Sequence, residues 1–378
     1  MTDNNPKKRT WAEISLANIK SNYEAIRRAI PETARFLGVV KADAYGHGAV
    51  PVAKTLQAAG ADYLAVSCLD EALELRNNGI TMPVLILGHT PPEYTGTLID
   101  SNITQAVTCL AKAEEYSAAA KALNKTLRIH IKVDTGMSRL GFLCDGSLSE
   151  DGVDNIARSC VLPNLSPEGI FTHFAVSDEA GEENREYTLR QFNLFMHVIG
   201  ELKSRYNIEF QIRHCANSGA VINYPEMALD MVRPGLLLYG YGDAENKLGL
   251  KSCMTFKTTV STIKTYEEGT SVSYGRRFIT RHRTRVGVLA CGYADGLPRA
   301  SSGKCEFYAE SGFTPQIGNI CMDMCMCDLS ALPDVSVGDE IELFGEHASV
   351  DKMAAAAYTI SYELLCSVTK RVPRIYIN

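Results

Sequence analysis

Val39-Val40-Lys41-Ala42-Asp43-Ala44-Tyr45-Gly46-His47-Gly48 joins the end of an apolar run, Phe36 to Val40, directly to a lysine and then to a turn of small and polar residues. The run reads as a strand, and Lys41 sits where that strand ends. A cation there is costly. Desolvation lowers an amine's pKa, and such an amine is the group that forms imines with carbonyl cofactors, while active sites of parallel α/β barrels gather at the strand C-termini. A lysine paired with a carboxylate such as Asp43 would also satisfy the pattern. The strand reading alone leaves both open.

Outward from this stretch, short apolar runs alternate with helical patterns every 25 to 35 residues or so, the rhythm of βα units. The predicted strands are Phe36 to Val40, Tyr63 to Ser67, Val84 to Leu87, Thr104 to Val107, Leu127 to Val133, Gly169 to Phe174, Gln211 to Cys215 and Val232 to Tyr239. Eight such strands suit a closed barrel. Predicted helices between them have clear stops: Pro51 to Ala59 ends at Gly60, and Leu69 to Asn78 ends at Gly79. The first helix follows Ser15 as its cap, with Leu16, Ile19, Tyr23, Ile26 and Ile30 on its apolar side. After the turn-rich stretch Gly240 to Gly249 the rhythm changes. Thr258 to Ile263, Arg285 to Leu289 and Glu340 to Phe344 are β-branched or apolar runs separated by glycine turns. The predicted organisation is therefore a (β/α)8 barrel over residues 15–246 and a mostly β domain over 247–378. Trp11 to Ile14, in an N-terminal segment 1–14, alternates as a strand that crosses back to the second domain.

A chain of 378 residues exceeds the roughly 250 of one barrel, which agrees with a second, smaller domain. The net charge of −6 argues against a nucleic-acid partner. The polar stretch Met1 to Thr10 lacks the apolar centre of a secretory signal, and no run approaches the roughly 20 apolar residues that span a bilayer, so the sequence predicts a cytoplasmic protein without membrane contact. Its twelve cysteines lie mostly singly in apolar runs and read as thiols. The cluster Cys321, Cys325 and Cys327 lacks paired C-x-x-C spacing and a nearby histidine, so strand positions explain it better than a metal site.

The stretch around Lys41 resembles the cofactor-lysine motif of the alanine racemases, and similar segments follow in that family's order. They are His130 to Gly141, Thr172-His173-Phe174, His214 to Ser218, Val232 to Gly235, Ser273-Tyr274-Gly275, Gly292 to Gly296 and Cys321-Met322-Asp323. Ser138 and Ser361 depart from the residues common in relatives, and neither replaces a catalytic group. The resemblance implies that Lys41 carries pyridoxal 5′-phosphate as an internal aldimine, and that the β domain completes the site from a partner chain of a homodimer. It implies two bases, Lys41 for D-alanine and Tyr274 of the other subunit for L-alanine, with His173, Arg233 and His214 linked behind the tyrosine. For each histidine alone, a satisfied core position is the competing reading.

In the family an arginine, here Arg233, faces the ring nitrogen and restrains electron withdrawal, because guanidinium does not give up its proton. A rim salt bridge would otherwise explain it. The resemblance places the phosphate against Asn217, Ser218, Gly235 and Leu236, as loops after the seventh and eighth barrel strands usually do, with hydroxyls from Tyr45, Ser218 and Tyr362. Tyr362 could equally be packing. Arg139 and the backbone N–H of Met322 would hold the substrate carboxylate. Lys132 in relatives can be carbamylated to orient that arginine, although a paired or surface lysine fits equally. Tyr293 and Asp323 would shape the entrance, packing and turn roles being the alternatives. The implied activity is interconversion of L- and D-alanine, supplying D-alanine for peptidoglycan. A racemase of serine, lysine or several amino acids is the rival, and a non-catalytic carrier of the cofactor is the third reading.

Overall fold

The computed structural model describes residues 9–146, 149–243 and 246–378. Residues 1–8 of the predicted N-terminal segment and residues 244–245 of the predicted interdomain turn lie outside the described residues. The chain divides into two compact units. One holds residues 19–44 and 49–250, the other residues 9–18, 45–48 and 251–378.

The first strand, β1 (Thr10–Ser15), belongs to the second of these units. The barrel unit contains β2 (Arg35–Val39), β3 (Tyr63–Val66), β4 (Val84–Ile86), β5 (Ile103–Val107), β6 (Leu127–Asp134), the short β7 (Phe142–Leu143), β8 (Leu165–Phe171), β9 (Ile212–His214) and β10 (Met231–Val232). Hydrogen-bonded neighbours run β10-β2-β3-β4-β5-β6-β8-β9, all parallel, with β7 attached to β6. Two backbone bonds join the ends of this path: Asp230 N–H to Arg213 O at 3.0 Å and Arg233 N–H to Ala216 O at 2.9 Å. Eight strands thus close on themselves, with β3, β4 and β5 buried throughout, as expected where helices cover a parallel sheet.

Predicted helix ends correspond closely to the observed ones. Ser15 Oγ accepts from Asn18 N–H at 3.1 Å and caps the helix Leu16–Ala29. The helices Ala49–Ala59 and Leu69–Asn77 stop before Gly60 and Gly79, both at positive φ. The eighth strand is a correction. Predicted as Val232 to Tyr239, it ends at Val232, and Leu236–Tyr239 forms a short 3-10 helix. Pro234 supplies no N–H for a ladder, so the apolar run after it turns rather than extends.

The β-rich unit adds β11 (Met254–Tyr266), β12 (Ser271–Val272), β13 (Phe278–Ile279), β14 (Thr284–Leu289), β15 (Glu306–Ala309), β16 (Gly312–Ile317), β17 (Cys325–Asp328), β18 (Glu340–Phe344) and β19 (Arg374–Ile377). Its main sheet runs β14-β17-β16-β15-β18-β11-β1-β19, and β11 also pairs with β14. A register shift between Val260 and Thr262 lets the long β11 serve both partners. β1 lies antiparallel to β11, with Ala12 opposite Phe256, and parallel to β19. Trp11 is fully buried there, and the rings of Phe256 and Phe344 lie 5.2 Å apart. Helices Val350–Ala356 and Ser361–Ser367 precede the last strand. Cys325 and Cys327 are buried on β17, and no disulfide joins any of the twelve cysteines.

Candidate active site

Lys41 follows Val40 at the C-terminal end of β2. The next four residues, Ala42, Asp43, Ala44 and Tyr45, all take left-handed φ values between 52° and 54°. Such backbone costs an L-residue about 1–2 kcal/mol at each position and persists only where the surroundings fix it. Here Ala44 N–H bonds Val40 O at 2.9 Å, and Glu71 Oε1 accepts from Ala42 N–H at 2.6 Å. Asp43 Oδ1 accepts from Ala49 N–H at 2.8 Å, so this carboxylate anchors the next helix.

On the neighbouring strand ends, Arg233 is almost wholly buried. Its Nη1 donates to His214 Nδ1 at 3.0 Å, and its Nη2 to Thr172 O, Cys215 O and His173 Nδ1 at 2.8, 3.1 and 3.3 Å. Among the described residues no carboxylate pairs with it, and Nε has no acceptor. Burial brings its pKa down to about 10. Burial, followed by the charge of Arg233, holds His173 and His214 well below the usual imidazole value. Lys132, Arg139 and Lys41 act on His173 in the same sense, which places all four cations around one imidazole. Lys132 is buried; Nζ donates to Val133 O at 2.7 Å, and burial brings its pKa down to about 7. Arg139 is exposed on a loop secured by Asp134 Oδ1, which accepts from the N–H groups of Gly136 and Ser138 at 3.0 Å each.

Asn217 caps the helix Ser218–Asn223 by accepting from Ala220 N–H at 3.0 Å. Ser218 Oγ accepts from Gly235 N–H at 2.9 Å and Leu237 N–H at 3.4 Å, drawing the loops after β9 and β10 together beside Leu236. Its own hydroxyl hydrogen has no acceptor among the described residues.

The other predicted residues lie in the β-rich unit. Tyr45 is buried, which raises its phenol pKa, and its ring centroid is 5.9 Å from that of Tyr362. Gly46 is obligatory beside them, since a Cβ would stand 2.3 Å from Leu365 O. Tyr274 is 72% exposed, and its hydroxyl has no hydrogen-bond partner among the described residues. Its backbone is held: Asn319 Nδ2 donates to Tyr274 O at 2.7 Å, and Ser273 Oγ donates to Asn319 O at 2.7 Å. Met322 and Tyr293 are also exposed, on segments joined by the bonds Tyr293 N–H to Cys321 O at 2.9 Å and Ala294 N–H to Met322 O at 3.0 Å. Asp323 accepts from Arg371 at 2.8 Å through Oδ1 and from Arg9 at 3.1 Å through its backbone O.

Sequence reasoning passed over several polar residues. The fully buried Asp295 receives both ends of the Arg9 guanidinium at 2.7 and 2.9 Å, and Arg371 at 3.0 Å. His130, Glu168 and Tyr63 form a polar cluster within the barrel. His130 stands two residues before Lys132, so strand alternation alone could have placed both on one face.

A parallel barrel with a lysine and a buried, carboxylate-free arginine at its strand ends defines a class of barrel enzymes suited to an anionic, ring-bearing carbonyl cofactor. The residues fit such a group: a hydroxyl donor and a capped helix start for phosphate, Nε of Arg233 for a ring nitrogen, and Lys41 for the carbonyl. Comparisons with known proteins agree. Residues 14–243 match the family model described as alanine racemase, N-terminal domain, and residues 253–376 that of the C-terminal domain. The chain is 45% identical to alanine racemase 1 of Clostridium acetobutylicum, over 97% of this chain and 95% of that one. It is 43% identical to the alanine racemase of Clostridium tetani, with the same coverage. Its fold matches a solved alanine racemase of Clostridium difficile with a TM-score of 0.90 at 37% identity, covering 98% and 96% of the two chains. The structure of the Bacillus anthracis alanine racemase with bound L-Ala-P matches with a TM-score of 0.89 at 32% identity, covering 98% and 95%. The chain belongs to the alanine racemase family, whose members depend on pyridoxal 5′-phosphate.

Proposed function

We propose that this chain interconverts L-alanine and D-alanine in the cytoplasm, supplying D-alanine for peptidoglycan, as a homodimer whose two sites are each shared between subunits. The barrel, residues 15–246, provides the cofactor site, and the β-rich domain, residues 247–378 with the strand from the N-terminal segment, provides the second base to the partner. No helix among the described residues is long and apolar enough to cross a membrane.

Pyridoxal 5′-phosphate, when bound, withdraws electrons from an attached amino acid and weakens its α-C–H bond. The protein must then move the proton between faces. Lys41 would hold the carbonyl of the cofactor and exchange a proton with the α-carbon on the face used by D-alanine. Tyr274 of the partner subunit serves the opposite face, used by L-alanine, each group contributing about 10² to 10⁴ in rate. The exposure of Tyr274 and its unpartnered hydroxyl support its delivery to another chain. His173, with Arg233 and His214 behind it, presents a neutral imidazole toward that tyrosine. Arg139 and Met322 N–H orient the substrate carboxylate. Lys132, whose pKa burial brings down to about 7, can in its neutral form add carbon dioxide, release a proton to water and present the resulting carbamate to Arg139. Asn217, Ser218, Gly235, Leu236, Tyr45 and Tyr362 hold the phosphate, while Tyr293 and Asp323 line the approach.

The observation that carries this reading is the buried Arg233 bonded to two histidines and, among the described residues, to no carboxylate. A group that only donates would leave the ring nitrogen of the bound cofactor without a proton, so Arg233 would restrain the electron withdrawal that the cofactor supplies. Purified protein given L-alanine in D2O should produce D-alanine carrying deuterium at the α-carbon. Arg233→Glu should raise transamination per racemisation by roughly tenfold or more, a change of about 1.4 kcal/mol in relative barriers. An unchanged ratio would remove Arg233 from control of the reaction.

A further inference from the structure

Behind Arg233, hydrogen-bonding groups continue through the barrel. His214 Nε2 lies 2.9 Å from His130 Nδ1, His130 Nε2 lies 3.7 Å from Glu168 Oε2, and Tyr63 donates its hydroxyl to Glu168 Oε1 at 2.8 Å. Both imidazoles are fully buried. Among the described residues neither His130 Nε2 nor Glu168 Oε2 has a hydrogen-bond partner, although both atoms are buried.

Local structure is shaped around this pair. The β6–β8 ladder matches Ile129 with Pro167 and then His130 with Gly169, so Glu168 is the extra residue of a bulge. Pro167 contributes no N–H at that point. Gly169 lies flat against His130, where a Cβ would stand 2.6 Å from ring atoms. Phe171 stacks on His214 at 4.7 Å with 11° between the rings. Neither imidazole can turn freely.

Chemistry then fixes where the protons are. Arg233 only donates, so His214 Nδ1 must accept and the ring proton is on Nε2. That N–H faces His130 Nδ1, which must also accept, so the second ring carries its proton on Nε2 as well. The last N–H faces Glu168, an anion that only accepts, across 3.7 Å, an electrostatic contact rather than a hydrogen bond, and His130 and Tyr63 hold that carboxyl down to about 2.

We infer that Glu168 and His130 are positioning residues for the proposed racemisation: Glu168 is the remote counter-ion of Arg233 and, through two imidazoles locked as Nε2–H tautomers, sets how strongly the guanidinium donates to the cofactor. Hydrogen-bonded groups in a low-dielectric interior polarise one another, and the Glu168 charge, 3.7 Å from the end of this chain, acts on it electrostatically, which gives a carboxylate outside the cofactor site a route to it. The relay rests on geometry alone, and its effect on rate rests on the proposed function.

The test uses holoenzyme labelled with ¹⁵N-histidine. Both rings should show a protonated Nε2 and a bare Nδ1. Glu168→Gln, isosteric but uncharged, should shift the His130 ring nitrogens toward a mixture of tautomers. It should also lower kcat for alanine about tenfold, leave KM within about twofold, and raise transamination per racemisation. A wild-type ring protonated at Nδ1 would overturn the relay, whatever the enzyme does. Correct tautomers with unchanged kcat and reaction ratio in Glu168→Gln would overturn the tuning role while leaving the racemase reading intact. Absence of racemisation by wild-type protein would instead defeat that reading, and the tautomers would still decide the relay.

Discussion

Arg233 and Tyr274 are housed in opposite ways. The arginine is 4% exposed with acceptors on both terminal nitrogens, and the histidines bonded to it are packed in turn. The tyrosine is 72% exposed; its backbone is held by Asn319 while its hydroxyl has no hydrogen-bond partner among the described residues. Burial of this kind is costly unless polar groups satisfy one another, and the barrel meets that demand from within a single chain. The Tyr274 face, with Met322 and Tyr293 also exposed, is fixed in shape but unfinished in chemistry. On the proposed function, a second subunit completes it.

The largest effect that would break this contrast concerns the barrel end. Lys41→Ala should lower racemisation by about 10⁴, at the upper end of what one acid–base group contributes, because on the proposed function the same amine also holds the cofactor. Borohydride reduction of wild-type protein should fix the cofactor to the peptide containing Lys41, and the variant should lose the visible band. Label on another lysine would relocate the site.

A smaller effect sharpens the account of burial. Lys132 has a folded pKa of about 7 against an ordinary value of 10.5, so between those values the unfolded chain holds a proton that the folded chain lacks. Stability contributed at this position therefore rises with pH through that window. Compared with Lys132→Met, wild type should be at its greatest disadvantage below pH 7 and recover toward pH 10 in denaturant titrations. A difference independent of pH would mean that Lys132 keeps its charge throughout.

Much of the barrel was legible because its signals are local. An apolar strand ending in lysine, glycine stops after helices and a serine cap each act within a few residues of where they are read. The eighth strand misled because Leu236 to Tyr239 is as apolar as a strand, and only the weight given to Pro234 and Gly235 distinguishes a turn. Glu168 was invisible for another reason. A carboxylate after a proline reads as surface, and its meeting with His130 depends on a bulge between strands distant in sequence. The depressed pKa of Lys132 was hidden likewise, since burial and the nearness of Arg233 are tertiary facts. Tyr274 shows the reverse: its motif named it, whereas its exposure needed the structure.

The central claim is that Lys41 and Tyr274 act in one site but come from different chains. Lys41→Ala and Tyr274→Phe proteins, each near background alone, can be unfolded together and reassembled in equal amounts. Random pairing makes about half the dimers mixed, and each mixed dimer contains one doubly defective and one intact site. Activity should return to about a quarter of wild type if the sites act independently. No recovery, with mixed dimers verified by mass, would contradict the shared site and place both bases on one chain or remove Tyr274 from the chemistry.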